Sequence, residues 1–88
     1  MKLAIIIPAY NAENTIKRAI LSDDTQSDYE IICVNDGSTD NTKRVLTELQ
    51  KVHPNIKVIN QDNQGAARSR NVGLDAMSDD VEGFLFLD

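Results

Sequence analysis

Three apolar runs in this chain each stop on residues able to bind a ligand. Ile5-Ile6-Ile7 is followed by Pro8-Ala9-Tyr10-Asn11, Ile31-Ile32-Cys33-Val34 by Asn35-Asp36-Gly37-Ser38-Thr39-Asp40, and Phe84-Leu85-Phe86-Leu87 by Asp88. In open α/β sheets, ligands bind in the crevice beyond the carboxyl ends of parallel strands. An aromatic ring and two carboxylates at three such ends suggest one site assembled from segments distant in sequence. Asp88 suits a hard cation such as Mg2+ or Mn2+, which prefers carboxylate oxygens. One aspartate is a poor metal site, so a second carboxylate is expected beyond Asp88, and a chain stopping there reads as cut. Neither Gly-X-Gly-X-X-Gly nor Gly-X-X-X-X-Gly-Lys-Ser/Thr occurs, so the usual phosphate cradles are absent. With 14 acidic against 9 basic residues the net charge is −5. A bound phosphate would therefore need local cations, aligned backbone N–H groups or a metal ion. The same balance argues against a general nucleic-acid binder.

The elements that must position these residues alternate. Residues 2–8 form a β-branched run of the kind found in strands covered on both faces. Asn11 is placed to cap a helix over 12–21, whose buried stripe is Ile16, Ala19 and Ile20. A polar loop follows, then a second strand over 29–35. Ser38 or Asp40 caps a second helix over 41–52, with Val45, Leu46, Leu49 and Val52 on one face. It ends at His53-Pro54, because the residue before proline is pushed out of the α region. The third strand covers 56–61, Gln64 or Gly65 opens a third helix to about residue 77, and the fourth strand covers 83–87. Strand–helix alternation with short connections implies parallel β-α-β units in an α/β, Rossmann-like sheet. The expected strand order 3-2-1-4 puts the switch point between strands one and four, with Asp36 one strand away.

The chain's 88 residues allow one domain with a thin core. No stretch approaches the ~20 apolar residues of a membrane span, and Met1-Lys2-Leu3-Ala4 has no signal-peptide layout. Cys33 is the single cysteine, which excludes an internal disulfide and fits a reducing compartment; it reads as a small buried strand residue. His53 is the single histidine and complements a helix C-terminus rather than building a metal site.

Four motifs in order carry a resemblance. They are 5–11 (Ile-Ile-Ile-Pro-Ala-Tyr-Asn), 34–42 (Val-Asn-Asp-Gly-Ser-Thr-Asp-Asn-Thr), 63–73 (Asn-Gln-Gly-Ala-Ala-Arg-Ser-Arg-Asn-Val-Gly) and 84–88 (Phe-Leu-Phe-Leu-Asp). Together they resemble the N-terminal nucleotide-binding half of a family 2 glycosyltransferase with the GT-A fold. The resemblance implies that residues 1–88 are the nucleotide-sugar-binding half of such a domain, interrupted at its Asp-X-Asp motif, with Asp88 matching the first aspartate. It implies a donor that is a nucleotide sugar, UDP-linked, and an acceptor that is a saccharide, lipid or protein, in cell-envelope polysaccharide synthesis. It further implies a cytoplasmic location, at the inner face of a membrane through parts of the parent outside this chain.

The resemblance also assigns roles. Asp36 would accept the N3–H of uracil, although Asp-Gly is equally a common turn pair. Pro8 and Tyr10 would wall the base pocket, or else end the first strand and pack beneath its loop. Arg70 would reach the nucleotide or the neighbouring aspartates, with Arg68 pointing elsewhere on the helix. Asp88 would contact ribose or help hold Mg2+ or Mn2+. Asp40 reads as a helix cap and Gly65 as a backbone turn. No catalytic residue stands out, so the general base of an inverting transferase is expected beyond Asp88, leaving this chain inactive alone.

Two departures from the family pattern stand out. Ser22 is followed by the short polar stretch Asp23-Asp24-Thr25-Gln26-Ser27-Asp28, so the first helix should end early. Asn35 stands where an aspartate is common. A non-catalytic Rossmann-like binding or scaffold module would explain the alternation equally, but not the polar residues gathered at strand ends. A receiver domain would need an acidic pair where this chain has Pro8-Ala9-Tyr10. A fourth strand at the sheet edge, bearing Phe84 and Phe86, invites pairing into a homodimer.

Overall fold

The computed structural model describes residues 2–23 and 29–87. Seven elements follow one another: β1 (Leu3–Ala9), α1 (Ile16–Asp23), β2 (Tyr29–Asp36), α2 (Thr42–Val52), β3 (Ile56–Gln61), α3 (Ala66–Asp75) and β4 (Gly83–Phe86). The four strands form one sheet in the order β3-β2-β1-β4, every neighbouring pair parallel. The expected order and the α/β class are thus observed. Register places Ile5 beside Ile31 and Leu85, and Ile31 beside Ile56, so branched side chains stack across the sheet.

Alternation along the strands sorts their side chains into two layers. Ile5, Ile7, Ile31 and Cys33 meet Ile16 and Ile20 of α1 and Leu46 and Leu49 of α2. Ala4, Ile6, Ile32 and Val34 face the other way, toward Val72 and Leu74 of α3. Burial pushes the Cys33 thiol up to about 12, so it stays protonated as a small apolar filler. Gly73 lets α3 lie close on β1, because a Cβ there would run into Ile6 Cγ2.

Two boundaries differ from expectation for an identifiable reason. The first helix begins at Ile16 rather than residue 12, and Asn11 does not cap it. Asn11 adopts φ 49° and turns its Oδ1 across to the second loop, where it accepts the N–H of Thr39 at 2.8 Å and of Asp40 at 3.3 Å. Such left-handed geometry is tolerated by asparagine better than by most residues. Ser38 is likewise not the cap of α2. Its Oγ accepts the Asn11 N–H at 3.0 Å, while Asp40 Oδ1 accepts the Thr42 N–H at 2.9 Å and anchors the first turn of α2. The third helix ends at Asp75, and the chain leaves it through a turn at Ala76 and Met77. Residues 24–28 of the polar stretch after the first helix lie outside the described residues, as does Asp88.

One charged side chain inside the apolar β2 run is Glu30, only 6% exposed. Its carboxylate pairs with Lys57 Nζ at 3.1 Å and accepts the Ser78 N–H at 3.0 Å and the Ser78 hydroxyl. Lys57 also donates to Ala76 O at 3.1 Å. Together these contacts pin the turn after α3 to β2 and β3. Burial pushes the Glu30 carboxyl up, but the Ser78 hydroxyl and amide and the Lys57 ammonium outweigh it, so the net shift is downward from 4.5.

This packing makes Gly73 and Glu30 the positions to change. Gly73→Ala gains up to about 1 kcal/mol of helix propensity, yet pressing a methyl onto buried Ile6 costs about 1–3 kcal/mol. Denaturant unfolding should therefore show a net loss; a gain in stability would mean that α3 can shift off β1. A lowered carboxyl pKa adds stability above the ordinary value, and that stability is lost as pH falls through the folded value. Melting temperature should therefore drop from about pH 6 to about pH 3, and drop less in Glu30→Gln. Parallel curves for the two proteins would remove Glu30 from the acid response.

Candidate functional site

The carboxyl ends of β1 and β2 and the loop leading into α3 enclose a cavity of about 260 Å3. Pro8, Tyr10, Asp36, Asn63, Gly65 and Ser69 line it. Of the expected site residues, the fold therefore brings Pro8, Tyr10 and Asp36 together. Pro8 closes one wall as β1 ends, and the Tyr10 ring stands 54% exposed at the rim.

Asp36 is the last residue of β2 and is 5% exposed. Its Oδ1 accepts the Gln64 N–H at 2.7 Å and the Gln61 side-chain amide at 3.0 Å; its Oδ2 accepts the Gly65 N–H at 3.0 Å. Burial would raise its pKa. The Gln61 amide and the N–H groups of Gln64 and Gly65 outweigh burial and hold the carboxyl below its ordinary value. Asp36 is thus ionised at neutral pH, held by donors at the entry to α3. A carboxylate has about four acceptor positions, and donors among the described residues take three, which leaves one on Oδ2.

The loop can wrap this closely because of two glycines. Gly37 has φ 67°, and a Cβ on it would lie 2.5 Å from the Asn63 backbone N. Gly65 has φ 93° and presents its N–H to Asp36 as the residue before α3. Asn63 adds a second tie, its Nδ2 donating to Asp36 O at 3.1 Å. Neither Gln61 nor Asn63 was among the residues expected from the sequence. Gln61 could have been found from register, since it is the partner of Asp36 across β2 and β3.

Arg70 sits elsewhere, with its guanidinium carbon 5.6 Å from the Phe86 ring centroid at the β4 side of α3. Arg68 is exposed and lies 3.4 Å from Gln64 Oε1. Asp40 is committed to Thr42 and to the Glu13 N–H at 3.3 Å. Among the described residues no three of His, Cys, Asp and Glu are grouped to hold a metal ion, so the metal expectation rests on Asp88, outside the described residues. A larger hollow of about 590 Å3 lies between α1 and α2, lined by Leu21, Val45, Leu49 and Val52 among others. It contains no strand-end residue, and the chemistry gathers in the smaller cavity. No helix among the described residues is long and apolar enough to cross a membrane.

Comparison with known proteins converges on one family. The profile of Glycosyl transferase family 2 matches residues 4–88. An uncharacterized glycosyltransferase of Nostoc sp. is 45% identical over 91 residues, covering 100% of this chain and 28% of the relative. The glycosyltransferase GlyA of Streptococcus pneumoniae is 37% identical, covering 96% of this chain and 12% of the relative. The chain therefore spans less than a third of these relatives' length. The crystal structure of S. aureus TarS superposes with a TM-score of 0.80 at 33% identity, covering 100% of this chain and 16% of that one. A mannosyltransferase of Pyrobaculum calidifontis, solved with GDP-Man and Mn2+, has a TM-score of 0.74 at 21% identity, covering 88% of this chain and 24% of that one; the fold alone is shared there. With a GT-A-type sheet and a family profile matched over nearly its full length, the chain belongs to glycosyltransferase family 2.

Proposed function

We propose that this chain is the donor half of a GT-A domain and holds the nucleotide of a UDP-sugar whose sugar passes to an acceptor. The observation that carries this reading is the buried, ionised Asp36, with one acceptor position left, in the cavity that Tyr10 also lines. One acceptor suits one N–H donor. Uracil offers its N3–H at that edge, whereas cytosine presents an unprotonated N3 that would face the carboxylate lone pair and be repelled. The Tyr10 ring supplies an apolar face for the base, and Pro8 fixes the opposite backbone wall.

Ribose and diphosphate would extend from the base toward Arg70 on the β4 side of the crevice, with Asp88 as a ribose contact. A divalent metal, Mg2+ or Mn2+, would neutralise charge on the departing diphosphate. The acidic chain makes such a counter-charge necessary, and the Mn2+ bound by the mannosyltransferase neighbour supports it. Asp88 is this chain's contribution to that metal. In this reading the 88 residues supply donor contacts and no general base for the acceptor, and are expected to transfer no sugar on their own.

The test is calorimetric titration of the chain, shown to be folded by circular dichroism, with UDP, GDP, CDP and ADP, with and without Mn2+. UDP should bind in preference. Asp36→Asn, checked for its own fold, should lose about 10–100-fold in UDP affinity, the worth of a hydrogen bond to a charged group. Equal binding of all four nucleotides, or an Asp36→Asn variant that binds UDP normally, overturns the reading.

The same chain should pair with a second copy. β4 is bonded to β1 on one side, and among the described residues its other edge is open, with Phe84 48% exposed and Leu85 and Phe86 also exposed. Unpaired strand edges with apolar side chains template further pairing. Light scattering at rising concentration should show dimers that Phe84→Lys suppresses, and a monomer throughout would rule this out.

A further inference from the structure

We infer that Gln61 is a positioning residue that sets how Asp36 presents its carboxylate to the ligand. This rests on the uridine reading above and adds to it the group that makes Asp36 selective. Asp36 and Gln61 are register partners at the ends of β2 and β3. The Gln61 side-chain nitrogen donates one N–H to Asp36 Oδ1 at 3.0 Å and the other to Ser69 Oγ at 3.2 Å. Ser69, wholly buried in the first turns of α3, donates its own hydroxyl proton to Gly65 O at 3.0 Å. The chain of bonds therefore runs from the α3 backbone through Ser69 and Gln61 to Asp36. Both amide hydrogens are spent, which fixes the amide plane and so the direction of its bond to Oδ1.

The consequence is asymmetry between the two carboxylate oxygens. Oδ1 carries two donors, from Gln61 and Gln64, and is filled. Oδ2 carries one, from Gly65, and keeps one position. Without the Gln61 donor, Oδ1 regains a free position and the carboxylate can offer both oxygens. A two-donor edge such as that of guanine, with N1–H and an amino group, would then compete with uracil. Asp36 thus reads the base, and Gln61 restricts that reading to a single donor.

The groups around this pair define what a pH experiment sees. The three donors on Asp36 are all uncharged. Tyr10 lines the same cavity, Arg68 lies against Gln64, and Lys43 and Asp62 line the neighbouring hollow that Gln61 shares. In the parent chain the UDP-over-GDP affinity ratio should be flat from about pH 8 to about pH 5, because Asp36 stays ionised throughout and the terminal phosphates of the two ligands titrate alike. Gln61→Glu places a second carboxylate where the amide was. Two carboxylates in contact cannot both remain ionised, and one pKa rises strongly. At the acid end the introduced carboxyl is protonated and can again donate to Oδ1; at the alkaline end the pair repels and Asp36 is displaced.

The experiment is titration of UDP and GDP into the parent chain, Gln61→Leu and Gln61→Glu at several pH values, with a thermal melt of each protein. In Gln61→Leu the UDP-over-GDP preference should fall about tenfold, the worth of one discriminating hydrogen bond. In Gln61→Glu the UDP-over-GDP ratio should rise as pH falls, in contrast to the flat parent. Lower melting temperatures with an unchanged UDP-over-GDP ratio and a flat Gln61→Glu profile would mean that Gln61 only supports the fold, and the inference fails. If the folded parent shows no UDP preference, the uridine reading itself fails and takes the inference with it. The two failures are therefore told apart by the parent chain alone.

Discussion

The geometry of the crevice at the strand ends hangs on one buried negative charge. Asp36 sits where β2 ends, almost out of water, and an isolated carboxylate there would be costly unless donors replaced its hydration. Those donors come from 61–65, the segment between β3 and α3. Satisfying the charge therefore dictates where α3 begins and how tightly the loop folds back. Gly37 follows from the same constraint, since any side chain there would strike the Asn63 backbone that must approach. Charge at a helix N-terminus is also favoured by the exposed N–H groups and the helix dipole, so the arrangement is self-consistent electrostatically.

A second set of bonds braces the other rim. Asn11 reaches the N–H groups of Thr39 and Asp40, Ser38 returns to the Asn11 N–H, and Thr42 Oγ1 accepts the Ala12 N–H at 2.8 Å. The loops after β1 and β2 are thereby one structure. Tyr10 stands on the first and Asp36 at the root of the second, so the two proposed base contacts keep a fixed separation. Neutral hydroxyls and amides do most of this bracing, which suits a site that must remain formed whether or not ligand is present.

The alternation, strand order and both core faces were legible because parallel strands buried on two sides read as near-continuous branched runs. The strand ends carrying Tyr10 and Asp36 followed from that order. Short polar side chains were not legible in the same way. Asn11 has the chemistry of a cap for the helix that follows it, and only the proximity of 38–42 turns it across the crevice. Ser38 and Asp40 looked equivalent as caps, yet the N-cap of α2 is Asn41, and Asp40 accepts the Thr42 N–H from one residue further back. Glu30 was visible as a charge in an apolar strand, but its partners Lys57 and Ser78 lie far along the chain. Gln61 looked like an ordinary polar strand end until register set it beside Asp36.

Under the proposed reading, base and phosphate pose different electrostatic problems, and the fold would separate them. A uracil edge is neutral and donates one proton, so a carboxylate held by amides can read it without any cation nearby. A diphosphate would be repelled by that same carboxylate and by a chain of net charge −5. The fold answers by distance across β1: Asp36 lies toward β2, while Arg70 rests on Phe86 at the β4 side. The Phe86 ring attracts the guanidinium through its negative face and adds no formal charge of its own. A carboxylate in the place of that ring would bring further negative charge to the side where the proposed phosphates arrive. The Arg70 guanidinium and the Asp36 carboxylate therefore stand on opposite sides of β1, and under the proposed reading each would meet the part of the nucleotide that its sign suits.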